Sequence, residues 1–215
     1  MIRRVIGSAV LAGALTFGLS SLALADTFPG PAGNETSASA AFAQVIKGVE
    51  YDWTLVADRD TIAGYSHLDA SYFATVDITC HGGDQNGQPG TRFISFWAEA
   101  SVPFFVTANL GAAVAGARVT GTETTSDTCT NSDTIVAKTF AVGFALHATS
   151  AATTFTDQQC VDFSDTGNAP MRLTETRTGR KAAGTALVNG RYFSATDGSI
   201  SRLQWSSVPD PSCTP

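Results

Sequence analysis

The sequence predicts an all-β protein: an immunoglobulin-like or related antiparallel β-sandwich of two tandem copies of a unit of about 80 residues, near the lower end of usual domain size, separate or merged into one sandwich. Three observations predict it. Apolar residues alternate with polar ones at period 2 along several runs, four Cys follow an export-type leader, and the second half of the chain resembles the first at a fixed offset.

Residues 1–25, ending in Ala23-Leu24-Ala25 after Arg3, Arg4 and a long uncharged apolar run, have the form of a secretory signal peptide cleaved before Asp26. No later run reaches the roughly 18 apolar residues of a membrane helix, so no integral membrane segment is expected after cleavage. Cleavage removes two of 13 basic and none of 19 acidic residues, leaving 11 minus 19, or −8. That balance argues against nucleic acid as a partner. Residues 26–48 are rich in Ala, Ser and Gly with few large apolar groups and read as a flexible tether, with order beginning near Val49. The two copies then span 49–133 and 134–215.

Within the copies, Tyr72, Ala74, Val76, Ile78 and Cys80 share one face of a strand, and Phe140, Val142, Phe144 and Leu146 share another. Asn189-Gly190 suits the two φ > 0 positions of a type I′ hairpin between two further strands. No stretch of the mature chain has convincing helical periodicity.

Sliding the chain along itself until His67 meets His147 also aligns Asp77 with Asp157, Cys80 with Cys160, Gly87 with Gly167 and Arg92 with Arg172, five identities without a gap between positions 67 and 92. Duplication explains them together. Cys129 and Cys213 stand at comparable distances beyond their copy's first Cys. Equivalent positions make equivalent bonds, so the expected disulfides are Cys80–Cys129 and Cys160–Cys213.

Chemical motifs are sparse. His67 and His147 with Asp77 and Asp157 have ligand-type side chains, yet no second His stands close in sequence, and no metal or other cofactor is expected. Asp165-Thr166-Gly167 matches half of an aspartic-protease pair, but its aligned partner, Gln85-Asn86-Gly87, has no carboxylate. The loop 82–90 lacks the distal Glu of a calcium loop, and turn chemistry explains its composition. His81 stands at its start as the candidate exposed imidazole.

The candidate binding surface comprises Tyr51 and Trp53, as an aromatic platform for sugar rings or a protein, and the basic cluster Arg172, Arg177, Arg180 and Lys181. Trp97, Tyr192 and Trp205 are further aromatic candidates. The reading is a secreted or envelope-associated non-catalytic module that binds an unidentified protein or glycan, or is structural. The alternative is a secreted hydrolase using Asp or His side chains on loops, with carboxylates such as Asp77, Asp157 or Asp165 converging in a pocket.

Overall fold

A computed structural model describes residues 32–61, 64–82, 85–161, 170–210 and 212–213. Among these residues the regular structure is all β, in ten antiparallel strands. They are β1 (Ala32–Ile46), β2 (Val49–Asp60), β3 (Ser66–Thr79), β4 (Pro89–Ser101), β5 (Phe104–Val106), β6 (Ala112–Asp127), β7 (Ser132–Ala148), β8 (Thr153–Val161), β9 (Met171–Val188) and β10 (Arg191–Pro209). No described helix is long and apolar enough to cross a membrane.

The strands form one sheet in the order β10-β1-β2-β3-β4-β6-β7-β9, and β9 also pairs with β10. The ring therefore closes. Closure satisfies backbone groups that an open sheet would leave at its edges. β9 is long enough to serve two neighbours along one side: residues 182–188 pair with β7 and residues 171–179 with β8. β5 lies off the ring against β6.

Two tight turns show why the chain reverses where it does. Asn189 and Gly190 have φ of 48° and 79°, and Lys47 and Gly48 have 51° and 83°. Each pair joins two strands with both central residues left-handed, as a two-residue hairpin requires.

Alternate residues of every ring strand point into one core, to which both halves of the chain contribute. The register arranges them in rows. Ala40, Leu55, Ala70 and Ala98 are cross-strand neighbours in one row, and Phe42, Trp53, Tyr72 and Phe96 in the next. Trp53 of β2 meets Phe140 of β7 edge-on, with ring centroids 5.2 Å apart. Opposite walls thus touch across the enclosed space, as the layers of a sandwich do, and side chains fill it.

Residues 32–46 differ from the tether expectation. They form β1, paired with β2 and β10, and bury Ala38, Ala40 and Phe42. Small Ala side chains alternate inward there because neighbouring strands already supply the bulk, so the strand has few large apolar residues to reveal it. Residues 26–31 lie outside the described residues, as do 162–169, which include Asp165.

Both disulfides pair as the offset predicts: Cys80–Cys129 and Cys160–Cys213, with Cα atoms 5.2 and 5.4 Å apart. Each ties the end of a strand, β3 or β8, to the chain just beyond β6 or β10.

Candidate functional site

The aromatic pair read as a platform serves the core instead. Trp53 is 2% exposed, and its indole Nε1–H donates to Gln44 Oε1 at 3.0 Å. Tyr51 is half-buried and meets Tyr72 edge-on at 5.4 Å. The physical reason is parity: both side chains fall on the inward face of β2, with Leu55 and Ala57.

The basic cluster divides between the two faces of β9, and two of its four residues are engaged in ion pairs. Arg172 pairs with Asp210 at 2.7 Å and Arg177 with Glu175 at 3.1 Å. Lys181 is exposed on the outer face. Arg180 has the inward parity of Ala182 and Ala186, as Arg59 has that of Ala57 and Arg202 that of Ile200. The four residues therefore present no single basic surface.

Among the described residues, the groups a hydrolase would combine stand apart. Asp77 of β3 lines a shallow depression with Ile78, Pro89, Gly90 and Thr91, while Asp157 is opposite Glu175 in the β8–β9 pair. His147 lies near the end of β7, opposite Ala112 and Ala183, and His81 is exposed beside Cys80.

Two outer-face features emerge instead. The first is aromatic. Trp97, Phe73 and Phe93 are 59%, 47% and 40% exposed. In the β3–β4 register Trp97 faces Ser71, Phe73 faces Ser95 and Phe93 faces Thr75, so Phe73 is diagonal to both other aromatics. Diagonal neighbours on one sheet face lie about 7–8 Å apart, within reach of large rings. Phe73 and Phe93 stack, with centroids 6.2 Å apart and planes 26° from parallel. On β6 the strip is bordered by Thr122, Thr124 and Ser126, opposite Trp97, Ser95 and Phe93, and on β2 by Asp52, opposite Phe73. Aromatic faces are thus interleaved with hydroxyls. The sequence signal was Phe73, an aromatic breaking the otherwise polar face of "YFATVDIT".

The second feature is ionic. Asp58 on β2 is directly opposite His67 on β3, and Asp69 is two residues along on the same face. His67 Nε2 lies 3.7 Å from Asp58 Oδ2 and 3.5 Å from Asp69 Oδ2. Burial pushes both carboxyls above their usual range, while the His67 imidazole opposes the shift in each. A side-chain hydrogen bond with Ser37 also holds Asp58 down. Nearby Glu35 is raised by burial first, then by the charges of Asp58 and Asp60. Sequence reasoning singled out His67 but not these partners, because Asp58 reaches it only through strand register.

Comparison with protein-family models, curated proteins and solved structures returns no match to this chain.

Proposed function

We propose that the chain is an exported, non-catalytic module that binds a glycan on the outer face of β3 and β4. Residues 1–25 act as its cleaved leader, and the mature protein works outside the cytoplasm. The two bridged units descend from one duplicated ancestor. The strip of Trp97, Phe73 and Phe93 carries the binding reading: three large aromatics on adjacent strands are left in water while the core holds its own aromatics. Sugars suit such a surface because the C–H face of a ring stacks on an aromatic plane while its hydroxyls reach flanking Ser and Thr. Asp52, opposite Phe73, adds a carboxylate at the border that accepts from sugar hydroxyls.

The test is co-sedimentation of the purified protein with insoluble polysaccharides, alongside a glycan array. Trp97→Ala and Phe73→Ala are expected to weaken retention at least about tenfold, on the scale of hot-spot aromatics, with the circular dichroism spectrum unchanged. Retention equal to wild type in both variants, or no retained polysaccharide at all, overturns the reading.

A further inference from the structure

The geometry points to a divalent transition-metal site of the zinc class on the outer face of β2 and β3, formed by Asp58, His67 and Asp69. It is independent of the glycan reading and involves different residues.

His67 and Asp69 project to the same side because strand side chains alternate, and register brings Asp58 opposite His67. One donor atom from each residue lies within 4.8 Å of the others. The 3.5 and 3.7 Å separations from His67 Nε2 to the carboxylate oxygens exceed the roughly 2.7–3.2 Å of an N–H···O hydrogen bond. They suit two ligands of one ion: metal–ligand bonds of about 2.0–2.2 Å at tetrahedral angles put donor atoms about 3.3–3.6 Å apart.

A further atom lacks a purpose without an ion. Asp69 Oδ1 is shielded from solvent and has no hydrogen-bond partner. Buried polar atoms are ordinarily satisfied. Asp69 Oδ1 lies beside the oxygen that faces His67, so that carboxylate has bidentate capacity. The surroundings also favour a cation: Glu99 is opposite Asp69 on β4, and Glu35 on β1 is opposite Asp60, two residues along β2 from Asp58. The three side chains are 17–31% exposed, partly shielded yet reachable. Tyr65 covers one side of the imidazole, with ring centroids 5.4 Å apart.

One imidazole with two carboxylates is a zinc-type donor set, whereas Ca²⁺ takes about six to eight oxygen ligands. Three protein ligands leave a fourth position for water.

The test is calorimetric titration of untagged, chelator-treated protein with Zn²⁺, repeated with Ca²⁺. Zn²⁺ is expected to bind at one ion per chain in preference to Ca²⁺. His67→Gln and Asp69→Asn are each expected to weaken Zn²⁺ binding at least about tenfold, while His81→Gln and His147→Gln leave it unchanged. Co²⁺ added to wild type, which needs no variant to fold, is expected to give the intense visible bands of four-coordinate Co²⁺. Absent saturable Zn²⁺ binding, preference for Ca²⁺, loss of binding in His81→Gln, or a weak octahedral Co²⁺ spectrum each overturns the assignment.

Discussion

Arg172 Nη2 lies 2.7 Å from Asp210 Oδ2, shortly before Cys213, and Arg92 Nη2 lies 2.7 Å from Asp127 Oδ2, shortly before Cys129. Each ion pair stands beside a disulfide. In both units the Arg at the matched position after the first Cys, Arg92 or Arg172, thus meets an Asp just before the second. A matching ionic neighbour at each bridge is what duplication of one bridged unit would leave behind.

These contacts predict a contribution to stability that acid removes. The Arg92 hydrogen bond holds Asp127 below its usual 3.8, and hydrogen bonds from Ser212 and then Arg172 do the same for Asp210. A depressed carboxylate contributes stability above the unfolded-state pKa and loses it as pH falls through the folded value. Wild type is therefore expected to melt higher than Asp127→Asn/Asp210→Asn at neutral pH, and the difference is expected to shrink as pH falls below the ordinary 3.8. Melting temperature against pH measures it. A constant difference across the range contradicts the linkage.

Removing each disulfide is expected to lower stability by about 4 kcal/mol, since each closes a loop of 49 or 53 residues. Denaturant unfolding of Cys80→Ser/Cys129→Ser and Cys160→Ser/Cys213→Ser measures the effect. Unchanged midpoints contradict it.

Much of this architecture was legible in the sequence, and the exceptions share a cause. Tyr72 and Ala74 announce an inward face because period 2 is a local property, and both are buried. Asn189-Gly190 announces its hairpin for the same reason. Cys pairing followed from the internal offset, which compares the chain only with itself. β1 escaped notice because Ala38 and Ala40 bury as fully as Leu55 without a large side chain to mark them. Trp53 and Trp97 cannot be sorted into core and surface by residue type, only by the parity of their strands. The grouping of Asp58 with His67 depends on how β2 and β3 align, which neither strand specifies alone.

At one end of the inward rows polarity enters the core. The Tyr72 hydroxyl donates to Glu123 Oε2, and Lys138 Nζ lies 3.7 Å from Glu123 Oε1. Burial and this hydrogen bond both push the Tyr72 phenol upward, which keeps it a donor. Tyr72→Phe is expected to cost about 1–3 kcal/mol by leaving a shielded carboxylate oxygen without that partner. Lys138→Met is expected to cost less than about 1 kcal/mol, since Lys138 is 41% exposed. Urea midpoints separate the two, and equal losses would contradict the ranking.

Gly121 faces inward on β6, where a Cβ would overlap the Trp97 carbonyl oxygen and Ala98 of β4. The obstruction is backbone and cannot rotate away. Gly121→Ala is expected to destabilise by about 1–3 kcal/mol, as overpacking does. A thermal shift assay checks it, and a neutral substitution would place β4 and β6 farther apart than described.

The strip containing Trp97 is the proposed glycan surface, and its own indole is the most direct reporter. Trp97 is 59% exposed, whereas Trp53 is buried and Trp205 is half-buried on β10, away from β3 and β4. Covering the strip therefore changes the solvent around one tryptophan and spares the other two. Saturation with the glycan retained in co-sedimentation is expected to shift emission to shorter wavelength, and Trp97→Phe is expected to abolish the shift. Saturating glycan that leaves the emission of wild type unchanged would contradict binding at this face.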